Sequence, residues 1–147
     1  MTLLEQLSED VKDAMRAGEN LRRDTLRMVL AAMKNRRIEV GEELNDDQQL
    51  AVLLSAVKSR TDSVVQYDAN GRKDLADRER AEIEFIQGYL PKQLGEQETA
   101  EIVRAKIAEL GLTSKKEMGQ LMKAIMADHK GSVDGKLVQQ FAAQELD

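Results

Sequence analysis

The chain has 147 residues with no Cys, no Trp, a single Pro and one His, and 27 acidic against 22 basic side chains give it a net charge of −5. Without cysteine, disulfides, thiol catalysis and cysteine-held zinc or iron–sulfur centres are excluded, and no apolar run approaches the ~20 residues of a membrane span. With 41% hydrophobic residues, the chain is too apolar for a disordered one, and its length fits one domain or two small ones.

Aromatic and β-branched residues are few, while Leu, Ala, Glu, Gln, Lys, Arg and Met dominate, so an all-α fold is expected. Gly18, Gly41, Gly71, Gly95, Gly111 and Gly131 each fall where an apolar period stops, as expected of residues that take up left-handed geometry after a helix. Thr2 and Glu5 have capping-box spacing and open a first helix whose Leu4, Leu7, Val11, Ala14 and Met15 share a face. A second helix over 20–40 turns Leu26, Val29, Leu30, Met33 and Ile38 inward. Asn45–Asp47 start a third, where Leu50, Leu53, Leu54, Val57, Val64 and Val65 keep the period to Asn70–Gly71. Asp74 is the expected cap of a fourth helix, which carries Leu75, Ile83, Ile86 and Leu90 and is stopped by Pro91.

The stretch from Pro91 holds the only Pro and a Gly, and marks a linker over 91–95. It separates an N-terminal four-helix bundle-like part, 1–90, from a smaller three-helix part, 96–147. In the second part, residues 98–110 present Ile102, Val103, Ile107 and Leu110. Ser114 and Glu117 form another capping box for 115–129. Asp134 caps the last helix, with Leu137, Val138, Phe141 and Leu146 inward.

Catalytic constellations are hard to assemble from this chain. His129 falls at an expected helix C-terminus, where the dipole favours its cation, and one His cannot build a His-based metal site. Carboxylate pairs such as Asp10/Asp13 and Glu79/Glu82 read as solvated helical faces. Their expected partners lie one turn away, as in Arg78/Glu82 and Arg80/Glu84. The run Gly131–Lys136 has the wrong Gly spacing for a phosphate loop, lacks Ser or Thr after the Lys, and follows a helix rather than a strand. Met118, Met122 and Met126 recur every fourth residue beside Leu121 and Ile125, and read as a core stripe. Gly119 breaks that helix at a cost of about 1 kcal/mol against Ala. A close helix approach would offset the cost, and a ligand or RNA backbone would serve equally well. No catalytic residue, metal or cofactor is expected.

Charge is distributed unevenly. Residues 1–95 hold 15 bases and 18 acids, and residues 96–147 hold 7 and 9, so strong non-specific nucleic-acid binding is disfavoured. Two segments depart from that average. Between Leu21 and Arg37, Arg22, Arg23, Arg27, Lys34, Arg36 and Arg37 face Asp24 alone. Further on, Lys115, Lys116, Lys123, Lys130 and Lys136 outnumber Glu117, Asp128 and Asp134. Either segment can meet phosphates. No aromatics interleave with the lysines for base stacking.

Leu26-Arg27-Met28, Asn70-Gly71-Arg72-Lys73-Asp74-Leu75-Ala76, Tyr89-Leu90-Pro91, Met118-Gly119-Gln120-Leu121-Met122 and Asp134-Gly135 stand in the order seen in the GatB/YqeY family. The whole chain resembles a free-standing member of that family. The resemblance implies an all-helical fold with a larger N-terminal bundle and a three-helix C-terminal part. The same module ends one of the subunits of the glutamine-dependent tRNA amidotransferase, where it helps hold the tRNA while the chemistry occurs in a separate domain. A carbon–nitrogen ligase label with glutamine as amido donor would be inherited from the family, since nothing in this chain corresponds to that domain. Carried over, Lys115, Lys116 and Gly119 with Asp134-Gly135-Lys136 form the RNA-facing motif, and Arg72 and Asp74 have a structural role at a helix junction. With Lys123 and Lys130 of the same basic segment, the expected RNA-binding residues are Lys115, Lys116, Gly119, Lys123, Lys130, Gly135 and Lys136.

The expected function is therefore a non-catalytic helical module binding tRNA or a tRNA-dependent amidotransferase-type complex, with tRNA and an amidotransferase or aminoacyl-tRNA-related protein as the candidate partners. The rival expectation is a protein-interaction adaptor using the Met/Leu face or the boundary between the two parts. MTLLEQLSED lacks the basic start and apolar stretch of a signal peptide, so a cytoplasmic location is expected, with no membrane partner.

Overall fold

The computed structural model describes residues 1–92 and 94–147. They form seven α-helices: α1 Leu3–Ala17, α2 Asn20–Val40, α3 Asp46–Ala69, α4 Lys73–Gln87, α5 Glu96–Leu110, α6 Met118–His129 and α7 Gly135–Glu145. A 3-10 turn, Lys115–Glu117, leads directly into α6, and no strand occurs among the described residues. The fold is all-α. Two compact units are present, Met1–Leu90 and Pro91–Asp147.

In the first unit α1 lies on α2 and α3 lies on α4, with α2 also touching α3 and α4. Its core is Leu7 and Val11 of α1, Leu26, Val29 and Met33 of α2, then Leu44, Leu53 and Ile86. The α1 start has the expected capping box: Glu5 N donates to Thr2 Oγ1 and Thr2 N donates to the Glu5 carboxylate. Asn45 and Gln48 build the same reciprocal box for α3. Each box satisfies two backbone donors that the helix leaves open.

Several inward assignments do not hold. Met15, Ile38 and Val65 are exposed. Arg37 already lies beside Met1 and Leu4 at the beginning of α1, so the longer α2 has outrun its neighbour by Ile38. Of the α3 side chains only Leu53 is fully buried, although that helix carries apolar residues on several sides.

Asp74 does not cap α4. Arg72 occupies the cap position without a side-chain cap bond, and its guanidinium grips Asp74 with both forks, Nε to Oδ1 and Nη2 to Oδ2, each at 3.2 Å. A carboxylate one position into the first turn meets the helix dipole there, while the bidentate pairing holds Asp74 below the usual carboxylate range. Gly95 also departs from expectation. Its φ of −74° is ordinary, because it precedes α5 as an N-cap, whereas Gly18, Gly41, Gly71, Gly111 and Gly131 have positive φ.

In the second unit α5 packs chiefly on α7, and α6 on both. Val103, Leu112, Leu121, Ile125, Val133, Val138, Ala142 and Leu146 form its core. Leu110, expected inward, lies at the exposed end of α5. No helix among the described residues is long and apolar enough to cross a membrane.

Candidate functional site

The lysines of the second unit sit on local structure that the sequence dictates. Ser114 accepts from Lys116 N at 3.2 Å while Glu117 accepts from Ser114 N at 3.2 Å, and this reciprocal box holds the turn bearing Lys115 and Lys116. The chain end supports the turn from the other side: Lys115 N donates to Asp147 O at 3.0 Å and Asp147 N donates to Thr113 O at 3.1 Å. Along α6, Leu121 and Ile125 are buried, which leaves Gly119 and Lys123, four residues apart, on the outer side. Lys116, Lys123 and Lys130 recur at seven-residue spacing and so fall along one side of the turn and α6. Lys136 belongs to the next helix, where its backbone N donates to Asp134 Oδ1 at 2.9 Å.

Lys115, Lys116, Lys123 and Lys136 are exposed and carry no ion pair among the described residues. Lys106, in the same unit, is by contrast bound to both Glu109 at 3.1 Å and Asp128 at 2.9 Å. Arg104 holds Glu145 at 3.1 Å. A Cβ added at Gly119 or Gly135 would meet no atom within 4 Å. The close helix approach that would have accounted for Gly119 is therefore not made, and its backbone faces open space. Met118, Met122 and Met126 pack against the core of this unit, which makes them the core stripe their spacing indicates. His129 ends α6 and is half-buried.

The basic segment of α2 is organised differently. Arg22 pairs with Glu19, Arg23 with Asp24, Arg36 with Glu39 and Arg37 with Glu43. Arg27 rests against Met15 Sδ at 3.4 Å. Most of that positive charge is met within the chain.

A third site lies in the first unit, on residues whose spacing reads as a solvated face. Glu82 of α4 is buried, and its partner is not Arg78 one turn away but Arg60 of α3, whose Nε lies 3.5 Å from Glu82 Oε2. Thr25 of α2, also buried, donates to Leu21 O at 2.8 Å and approaches Glu82 Oε1 at 3.4 Å. Arg80 likewise skips Glu84 and pairs with Asp77 and Asp68. Arg60 Nη1 donates to Ala56 O at 3.1 Å, whereas its buried Nε makes no hydrogen bond. At 3.5 Å the contact between Nε and Glu82 is electrostatic rather than a formed hydrogen bond. Glu79 stands beside Glu82, and burial, then the neighbouring charge of Glu82, pushes its carboxyl above the ordinary range.

Arg60, Glu79 and Glu82 line a polar recess of about 310 Å³ with Met28, Ser59, Ser63, Tyr67, Leu75 and Arg78. It is continuous through Met28, Ser59 and Arg60 with a mostly apolar groove of about 560 Å³ between α2 and α3. A signal for this site was present in the sequence: Ala76, Glu79, Ile83, Ile86 and Leu90 follow each other at helical spacing, so Glu79 interrupts an apolar stripe and Glu82 borders it.

The family model described as Yqey-like protein matches residues 4–146. The chain belongs to the YqeY-like family. Three curated fungal relatives carry the name "Altered inheritance of mitochondria protein 41, mitochondrial". The protein of Lachancea thermotolerans is 38% identical over 112 residues, covering 76% of this chain and 58% of its own. That of Kluyveromyces lactis is 34% identical over 102 residues, 67% of this chain and 55% of its own. That of Pyrenophora tritici-repentis is 27% identical over 139 residues, 92% of this chain and 76% of its own. This YqeY-like chain thus spans little more than half the length of the first and second of these relatives.

Proposed function

We propose that this YqeY-like chain is a non-catalytic helical module that holds tRNA through the lysines of its second unit. The observation that carries the reading is the set Lys115, Lys116, Lys123 and Lys136, exposed and without ion pairs among the described residues, in a unit whose Lys106 and Arg104 are tied to carboxylates. Cations left free of internal partners are the ones able to displace counterions from a phosphate backbone. The open backbone at Gly119 and Gly135 leaves room for a phosphodiester beside those lysines, and Lys130 extends the same side of α6. By family resemblance, the partner complex is a tRNA-dependent amidotransferase or another protein acting on charged tRNA. In the same proposal the chain works in the cytoplasm. The adaptor reading loses one of its two surfaces, since Met118, Met122 and Met126 are used in the core of the unit.

The test is equilibrium binding of a fluorescent tRNA across a salt series, with the full chain and a Lys115, Lys116, Lys123→Glu variant. Binding that weakens with salt and falls at least ~10-fold in the variant supports the reading. Salt-insensitive association, or unchanged affinity in the variant, overturns it.

A further inference from the structure

In the turn that carries Lys115 and Lys116, two backbone donors are met from within: Lys116 N donates to Ser114 Oγ, and Glu117 N donates to Ser114 O at 2.9 Å. The Lys115 N–H has no such local acceptor, as expected of the first donors of a helical turn. It is met instead by Asp147 O at 3.0 Å, and Asp147 N in return donates to Thr113 O at 3.1 Å. The two bonds fasten residue 147 to the backbone on both sides of Ser114.

The segment that delivers Asp147 is itself fixed. Leu146 is 4% exposed in the core of the unit. Its N–H donates to Ala142 O at 2.9 Å, and its φ of −99° and ψ of 144° lead the chain out of α7 in an extended direction. Glu145, at the end of α7, is held by Arg104 of α5. Leu112, just before the turn, is buried in the same core. The lysine turn is thus tied to the core by Leu112 in front of it and by Leu146 through Asp147.

Electrostatics alone would give Asp147 an adverse role. It is an exposed acid bonded through its backbone to Lys115, and a carboxylate there opposes the approach of a phosphate. Its backbone, however, fixes the direction in which Lys115 and Lys116 leave the surface. Lysines held in one geometry lose less freedom on meeting a phosphate than lysines on a loose turn. We propose that Asp147 is a positioning residue of the tRNA-holding face: its backbone sets the turn bearing Lys115 and Lys116, and this gain outweighs the repulsion from its carboxylate. The inference rests on the tRNA reading above and adds that an acidic residue supports the binding of an anion.

Three variants of the full chain separate the two roles, read by binding of fluorescent tRNA across a salt series. Removing Asp147 breaks both bonds and deletes a negative charge. Affinity should nevertheless fall at least ~3-fold, with the salt slope unchanged because no lysine is lost. Asp147→Pro is compatible with the extended Leu146 before it and removes only the N–H donor, so it should lower affinity by a smaller factor. Asp147→Ala keeps both backbone bonds and should bind as the unmodified chain does, or more tightly. Amide hydrogen exchange at Lys115 should quicken in the shortened chain and stay unchanged in Asp147→Ala. If shortening also lowers helicity, the contrast between Asp147→Pro and Asp147→Ala decides. Equal or tighter binding by both the shortened chain and Asp147→Pro overturns the proposal and leaves the tRNA reading standing. An equal loss in Asp147→Ala assigns the effect to the side chain and overturns it too. Absence of tRNA binding by the unmodified chain removes both.

Discussion

Arg60 of α3 and Glu82 of α4 form an ion pair across the packed interface of their helices, with side chains only 11% and 12% exposed. Thr25 of α2 touches the same carboxylate, so three helices meet at one charged contact. Charges taken this far from water are costly when one loses its partner. Glu82→Ala is expected to destabilise the first unit by about 3–5 kcal/mol. Joint replacement, Arg60→Met with Glu82→Leu, should recover most of the loss. Urea unfolding of both variants checks this, and equal destabilisation by the single and joint changes would contradict it.

Glu79 makes stability depend on pH in a defined direction. Its carboxyl is pushed up in the folded chain, first by burial and then by Glu82. The folded state therefore holds the proton to higher pH than the unfolded state does. The stability this proton contributes is fully present below the unfolded carboxylate range and is lost as pH rises through the folded value. Asp24, Asp74, Asp77 and Asp128 are held low by Arg and Lys partners and act in the opposite sense. The contribution is thus read as a difference: Glu79→Gln should be more stable than the unmodified chain at neutral pH, with the advantage shrinking on acidification. A constant difference across the range would refute the assignment.

Tyr89 donates a hydrogen bond from its hydroxyl to Asp10 on α1, linking the end of the first unit to its first helix. Burial, then the hydrogen bond to Asp10, raises the phenol above its ordinary range. An ultraviolet titration of the folded chain should show one late-ionising tyrosine, absent in Tyr89→Phe. Loss of a partly buried bond to a carboxylate should cost about 1–2 kcal/mol, read by thermal or urea unfolding.

The two basic segments should respond differently to charge reversal. Arg22 and Arg36 are already met by Glu19 and Glu39, whereas Lys116 and Lys123 carry no ion pair among the described residues. Lys116→Glu or Lys123→Glu should each reduce the slope of log affinity against log salt by about one. Arg22→Glu should leave tRNA affinity within about twofold, since surface pairs contribute little. Equal losses from both segments would shift the interface to α2.

Local chemistry was legible in the residues. Thr2 with Glu5, Ser114 with Glu117 and Asp134 act through bonds spanning two or three positions, and all are formed. Helical content, the core stripes of α1 and α6, and the family itself followed from periodicity and short motifs. Asp74 shows the limit of that reasoning. A residue with good capping chemistry was claimed by Arg72, two positions away, and which bond forms depends on the backbone path.

By itself, then, the sequence determined an all-helical chain, its punctuation and its membership of the YqeY-like family, because those rest on contacts between near neighbours. Only the tertiary structure decided which charges are buried and which are free. Glu82 is 22 residues from Arg60 in the chain, and no spacing rule pairs them. Packing α3 on α4 removes water from both and leaves each the other's counter-charge. The same packing leaves Met28 and Ile38 uncovered, because α2 buries one side against its neighbours and turns the other to solvent.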